Sequence, residues 1–395
     1  MKISQRVQRL EYAIREFMPI ARKLEEKGEK VIYLNIGDPL KYDFQPPEHV
    51  MKALYEAVKE GYNYYSLSEG EKELREAIVE KEKKWNKVDL KPENILVTQG
   101  VSEAINFLSA ILLDPGDEIL IPEPAYPLYL SMPGLYDARV VKYSCTEENE
   151  WNPDVDDIAT KITPKTRAIV VINPNNPTGA VYSEKTIKRI LDLAAEHDIP
   201  VISDEIYDGI VFEGEFKSTA SLSKDTLVIG LNGFSKTFLM TGWRLGYLYI
   251  YDPIGKYEDE LRNAVIKMAR TRLSASTPVQ RAAIAALRGP LDHLKQMVAK
   301  LRERREYVYK RLKEIEGFET VKPKAAFYIF PRIPVNKWKD DRDFTLKLLL
   351  EKKVLVVHGS GFGDSNKNHI RIVFLPPVDI LEEAFNRIEE FVKSA

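Results

Sequence analysis

A single cysteine, Cys145, excludes an intrachain disulfide framework. That usage suits a reducing compartment, and a cytoplasmic location is the expectation. Histidine is also scarce, with five in the chain. Neither residue type recurs at ligand spacing, so no metal site is expected. The same scarcity argues against a Ser–His hydrolase, since Gly359-Ser360-Gly361 reads as a loop. An excess of one charge is missing too: 58 Lys and Arg face 60 Asp and Glu, for a net charge of −2. The basic footprint of a nucleic-acid binder is therefore absent. No apolar run reaches the roughly 18 residues that a membrane span needs, so no membrane partner is expected. Residues 1–17 place Lys2, Arg6, Arg9, Glu11, Arg15 and Glu16 among apolar positions, which predicts an amphipathic helix and not a signal peptide. There is no internal repeat and no low-complexity tract.

What is present is a globular composition, 44% hydrophobic and 30% charged, over 395 residues, too long for one ordinary core. Short apolar runs alternate with helical patterns from Ile95 onward. Strands are predicted at 95–97, 118–121, 138–143, 168–172, 200–204, 226–231 and 246–251, with helices at 103–113 and 187–195 among them. Val/Ile-rich runs of this kind indicate a mostly parallel sheet covered on both faces. The pattern changes near residue 290. A long charged helix at 291–316, strands at 325–330, 354–357 and 370–374, and a last helix at 380–392 suggest a smaller α+β domain.

In an open α/β sheet, ligands lie beyond the carboxyl ends of the strands. Ser102, Asn176, Asp204 and Lys236 all follow predicted strands and so converge on one crevice. Gly100-Val101-Ser102 opens a helix, where backbone N–H groups suit a phosphate, although Ser is equally a common helix cap. Asp204 ends an apolar strand. It suits pairing with a pyridine nitrogen, as Tyr207 suits the phenolic oxygen of the same ring, or it caps the next element. Lys236 follows an apolar strand and precedes Thr241-Gly242-Trp243-Arg244. A desolvated lysine beside other cations is a competent Schiff-base nucleophile, whereas most lysines are solvated surface charges. Ser235 and Arg244 offer a hydroxyl and a guanidinium fork to phosphate oxygens. Arg371, in the strand His369–Phe374, needs an anion: a substrate carboxylate or an internal salt bridge.

Asn173-Pro-Asn-Asn-Pro-Thr-Gly179, Ser203-Asp-Glu-Ile-Tyr207, Phe234-Ser-Lys-Thr237, Gly242-Trp-Arg-Leu-Gly246 and the late arginine strand together resemble the class I/II aminotransferases, pyridoxal 5′-phosphate (PLP) enzymes of fold type I in the aspartate aminotransferase superfamily. The resemblance spans nearly the whole chain. It implies an α/β fold. A large PLP-binding domain, 46–290, would hold a mostly parallel seven-stranded sheet flanked by helices, with a smaller α+β domain formed by 1–45 and 291–395. Lys236 would be the catalytic Schiff-base lysine and Asp204 the partner of the ring nitrogen. Tyr207 and Asn176 would bond the ring hydroxyl side, and Tyr126 would stack on the ring. Val101, Ser102, Ser235 and Arg244 would hold the phosphate, with Tyr65 reaching that of the neighbouring subunit. Gly37, Asn176 and Arg371 would bind the substrate. A homodimer with shared active sites follows, working on amino acids and 2-oxo acids by a ping-pong mechanism.

Leu34-Asn-Ile-Gly-Asp-Pro39 and Val357-His-Gly-Ser-Gly-Phe-Gly363 look like the archaeal alanine aminotransferases, with His358 where many relatives carry proline. Alanine and 2-oxoglutarate are thus the expected pair. An aromatic or broad specificity, or a PLP lyase on the same fold, is the alternative. Phe238-Leu239-Met240 departs from that group's pattern. For a second carboxylate the candidates are Arg15, Arg270 and Arg272. A PLP-binding transcription regulator would need a DNA-binding module ahead of Gly37, where the sequence has no room for one.

Overall fold

The computed structural model describes every residue except Arg9, Glu11, Val335, Asn336 and Ala395. Among the described residues there are twelve strands. The first, β1 (Ile32–Tyr33), stands apart from the large sheet. That sheet comprises β2 (Ile95–Thr98), β3 (Glu118–Glu123), β4 (Arg139–Ser144), β5 (Thr166–Ile172), β6 (Val201–Asp204), β7 (Val228–Gly233) and β8 (Gly246–Tyr251). Their order is β2-β8-β7-β6-β5-β3-β4. All pairs are parallel except the two made by β8, which runs antiparallel to β2 and β7.

Alternate residues of these strands bury into separate cores. Val97, Leu120, Ile169, Val171, Val201 and Val228 enter one, while Leu96, Ile119, Ile121, Val170, Ile202 and Ile229 enter another. Both faces are thus covered by helices, which is why the strands read as continuous apolar runs and not as alternating ones.

The C-terminal part is built differently. β9 (Tyr328–Ile329), β11 (Val357–His358) and β12 (Ile370–Val373) form an antiparallel sheet in the order β11-β12-β9, while β10 (Val354–Leu355) pairs in parallel with β1. The 23-residue helix Asp292–Glu314 and the helix Val378–Ser394 pack on this unit, whose core also takes Ile32, Leu34 and Phe44 from the N-terminal region. No helix among the described residues is long and apolar enough to cross a membrane.

Three expectations are corrected. Residues 1–17 are not one amphipathic helix: one turn spans Gln5–Gln8 and a 3-10 turn spans Ala13–Arg15, with the regular helix starting at Met18. Of that segment's expected charged positions, Arg9 and Glu11 lie outside the described residues. The segment is held by tertiary bonds, as shown below, and not by a helical apolar stripe. The expected strand 325–330 shrinks to Tyr328–Ile329, because Ala326 takes a left-handed φ of 59°. The expected strand 354–357 divides at Val356, its halves joining different sheets.

In β7, Gly230 pairs with Tyr249 of β8, and a β-carbon at 230 would fall 1.9 Å from that tyrosine's ring. Replacing Gly230 with alanine is expected to destabilise the protein by roughly 1–3 kcal/mol, the usual cost of overpacking a tight core. Urea unfolding would register this as a lower midpoint, and an unchanged midpoint would mean that β8 can shift away.

Candidate active site

The carboxyl ends of β2, β5, β6 and β7 point to one edge of the sheet. Because β8 runs antiparallel, its start lies at the same edge, with Gly246 opposite both Thr98 and Gly233. The loops there enclose a pocket of about 540 Å³. Val101, Ser102, Tyr126, Asn176, Asp204, Tyr207, Ser235, Lys236 and Arg244 all line it. Gly37 and Arg371 close it from the side of β1 and β12. Of the expected site residues only Tyr65 is elsewhere: it is 78% exposed on a surface loop.

Lys236 directs its ammonium into the pocket and donates to the Gly37 carbonyl at 2.7 Å. Desolvation lowers its pKa to about 8, aided by the Arg371 and Arg244 charges and opposed by Asp38 and Asp204. Asp204 is buried and accepts from Tyr129 Oη at 2.9 Å and from the Ile206 amide at 3.2 Å. Burial raises its pKa to about 6. Arg371 is also buried. It donates to Asn176 Oδ1 at 3.0 Å and to the Asn35 carbonyl, while its Nε has no acceptor among the described residues. Its guanidinium lies 4.5 Å from the Tyr328 ring centroid and 4.9 Å from that of Phe362. The internal salt bridge left open for Arg371 is not formed with any described residue. Lys236 and Asp204 likewise lack an ion-pair partner among the described residues.

On the opposite wall, the helix Val101–Leu112 begins at Gly100, whose φ of 78° only glycine adopts readily. A β-carbon there would strike Arg244 Nη2 at 2.6 Å, so the glycine also admits the guanidinium. Ser102 is two residues past the cap position at Gly100, and no side chain of a described residue caps the helix. The helix N-terminus, the Ser102 and Ser235 hydroxyls and Arg244, which bonds the Thr241 carbonyl at 3.0 Å, make a cluster of donors without an acidic hydrogen-bond partner among the described residues.

Several lining residues escaped the sequence reading. Tyr328 bonds Tyr207 Oη to Oη at 2.8 Å, and Tyr12 bonds Tyr126 in the same way at 3.1 Å. Tyr12, Ile14 and Arg15 come from the N-terminal segment. Of the three arginines weighed for a second carboxylate, only Arg15 lines the pocket. Arg272 is tied to Glu103 at 3.1 Å and to the Ser68, Val97 and Leu273 carbonyls, while Arg270 is exposed on the helix Glu258–Thr271. Phe238, Leu239 and Met240 face the core and not the pocket.

The family model "Aminotransferase class I and II" matches residues 29–388. The chain belongs to this family. It is an aminotransferase, in a family that is generally PLP-dependent. The glutamate-pyruvate aminotransferase AlaA of Escherichia coli is 37% identical over 378 residues, 94% of this chain and 93% of that one. Aromatic-amino-acid aminotransferase 2 of Thermococcus litoralis is 39% identical over 390 residues, covering 96% and 95%. The solved structure of an alanine aminotransferase from Pyrococcus furiosus superposes on the whole of both chains with a TM-score of 0.98 and 55% identity.

A lysine lowered to about 8 is largely neutral above that pH. Acylation of Lys236 in the cofactor-free aminotransferase should therefore rise half-way near pH 8. Exposed lysines should follow near about pH 10.4. Peptide mass spectrometry resolves the two, and coincident profiles would refute the lowered value.

Proposed function

We propose that this aminotransferase moves the amino group of alanine to 2-oxoglutarate, with PLP held in the pocket described and by a ping-pong sequence in which one substrate leaves before the other binds. The observation carrying this reading is that Lys236, Asp204 and Arg371 share one pocket and that none is paired with an opposite charge among the described residues. A site left so is completed by a ligand that brings an anion for the arginine and a cation for the aspartate.

The residues present fit PLP. Its phosphate would fall to the Val101 and Ser102 end of the helix, to Ser235 and to Arg244. Its ring nitrogen would fall to Asp204. When bound, PLP supplies an aldehyde for an amine and a ring that accepts electrons from the substrate Cα–H bond.

The chain's own residues do the rest. Arg371 takes the substrate α-carboxylate through its fork, beside Asn176 and the Gly37 backbone. This orients the Cα–H bond toward Lys236. With a pKa of about 8, the Lys236 amine takes the Cα proton when neutral and returns it when charged. Asp204, ionised, favours a proton on the ring nitrogen. Tyr207 and Tyr328 steady the wall between Lys236 and Arg371, and Tyr126 lines the same pocket.

Arg371 can bind any amino acid, so the substrate pair depends on what lies further out. Arg15, exposed at the pocket wall and without an ion-pair partner among the described residues, is the cation suited to the distal carboxylate of 2-oxoglutarate and glutamate. The alanine-type relatives support this pair, while the Thermococcus litoralis enzyme supports an aromatic preference as the second reading. The two largest core clusters draw mainly on 46–290 and on 1–45 with 291–395 respectively, which supports that division, with residues such as Phe330, Val357 and Phe362 crossing one way and Ile206, Ile210 and Phe212 the other. Exposure of Tyr64, Tyr65 and Leu67 on one loop supports a homodimer in which Tyr65 serves the partner's site. A cytoplasmic location remains our reading from cysteine usage.

Adding PLP to the protein should produce a pH-sensitive visible band that falls with alanine and returns with 2-oxoglutarate. The Lys236→Ala protein should keep its fold and lack both the band and turnover. A band that responds to phenylalanine and not to alanine would move the substrate to the aromatic class, and normal turnover by Lys236→Ala would end the proposal. For the shared site, Tyr65→Ala and Lys236→Ala proteins should regain activity when mixed, since the hybrid dimer then holds one intact site. Mixtures no more active than their parents would place Tyr65 outside the partner's site.

A further inference from the structure

The segment Tyr12–Phe17 supplies three residues to the pocket but has only the 3-10 turn Ala13–Arg15 to shape it. What fixes it comes from far along the chain. Asn35 donates to the Ile14 carbonyl at 3.0 Å. Glu16, next to Arg15, is gripped from two sides. Its Oε2 lies 2.8 Å from His358 Nε2, and its Oε1 pairs with Arg342.

His358 is buried, and its ring meets Phe17 edge-on at 6.0 Å. Its other nitrogen, Nδ1, lies 2.8 Å from Ser360 Oγ, and the Ser360 amide donates to Asp341 at 2.5 Å. The imidazole is thus oriented from behind. The segment also needs Gly361, where a β-carbon would fall 2.1 Å from that of Ala13.

The strand pairing adds the link to the substrate. Val357 lies opposite Arg371, and His358 opposite Ile370. Successive residues of a strand face opposite sides. One short β-ladder therefore presents Arg371 to the pocket and His358 to the segment that bears Arg15.

We propose that His358 is a specificity-positioning residue: through Glu16 it sets the place of Arg15, and so the affinity for the substrate that carries a second carboxylate. This rests on the reading of Arg15 given above. Losing the bond from histidine to this carboxylate leaves the Arg15 turn held by Arg342 at Glu16 and by Asn35 at Ile14, with the Glu16 carboxylate no longer fixed from the His358 side, while the Lys236, Asp204 and Arg371 positions are untouched.

The test is steady-state kinetics of the PLP-loaded enzyme in both directions. His358→Leu should raise KM for glutamate and 2-oxoglutarate by about tenfold. KM for alanine and kcat should stay within about twofold. Glu16→Ala, at a half-exposed position, removes the same bond from its other end and should give the same selective rise. His358→Gln, which keeps an amide donor for Glu16, should recover most of the affinity.

An equal rise for alanine and glutamate, or a fall in kcat alone, would mean general loosening and would overturn the proposal. Arg15→Ala separates the two layers. If it raises the glutamate KM while the His358 and Glu16 variants do not, the positioning role fails and Arg15 keeps its own. If Arg15→Ala leaves the glutamate KM unchanged, the reading of Arg15 fails and the proposal with it.

Discussion

A guanidinium, an ammonium and a carboxylate lie in one pocket without making ion pairs with described neighbours. Each has been taken from water, at an effective cost of several kcal/mol per buried ion. Neutral dipoles offset part of it: the Asn176 amide and the Asn35 carbonyl at Arg371, Tyr129 at Asp204 and the Gly37 carbonyl at Lys236. Aromatic faces at Arg371 add to this. A carboxylate partner for Arg371 would be more stable, but it would also occupy the fork. The scaffold must therefore tolerate the charges, and the double-faced core around β2–β8 is what makes that tolerable. Strands buried on both faces hold the loop ends in place, so the charged side chains cannot relax toward solvent or toward each other.

The antiparallel strand β8 has a particular part in this arrangement. A seventh parallel strand would deliver its carboxyl end to the pocket. β8 delivers its amino end, so Arg244 arrives just before the strand, opposite Gly100 and the helix N-terminus. Two positive features, a helix dipole and a guanidinium, are thereby brought together where an anion is expected. Arg244 takes a left-handed φ of 55°, a conformation uncommon for a long side chain. The turn Thr241–Trp243 ahead of it and the start of β8 behind it hold that conformation.

The strands of the large sheet were legible because burial on both faces leaves Val/Ile runs bounded by turn residues. The residues just beyond them followed from the strand-end rule, and this is how Lys236, Asp204, Asn176 and Ser102 were found. Other features are written in tertiary contacts and leave no periodic trace. Tyr328 sits in the apolar stretch Ala325–Phe330, where a tyrosine reads as core. The break at Val356 divides an unbroken apolar run between two sheets, and nothing in its composition marks the division. The helices Lys72–Lys81 and Asp341–Lys352 carry charges on several sides, so their apolar periodicity is weak. The N-terminal segment misled in the opposite way. Its mixed composition imitates an amphipathic helix, but only Ile14 and Phe17 of its described residues are buried.

That contrast bears on where specificity resides. Under the proposed reading, the groups that handle the Cα proton and the α-carboxylate sit just beyond the strands of the large sheet or on β12, both packed into cores. The walls that a substrate side chain meets, Tyr12, Ile14 and Arg15, sit on a segment with one 3-10 turn of its own. Changes in the sheet disturb every substrate equally, whereas changes in the segment and its anchors act on one substrate and spare another. Phe238, Leu239 and Met240 illustrate the distinction. They stand beside the lysine in sequence, yet Phe238 stacks on Trp85 at 6.0 Å and Met240 is fully buried. Their departure from the alanine-type pattern is thus a matter of core packing. His358 comes well after Lys236 in the chain and Glu16 far ahead of it, but they hold the wall of the pocket. Relatives that share the sheet and differ in amino acid preference, as the alanine and aromatic enzymes do, are accounted for by a scaffold that fixes the chemistry centrally and leaves selection to its edge.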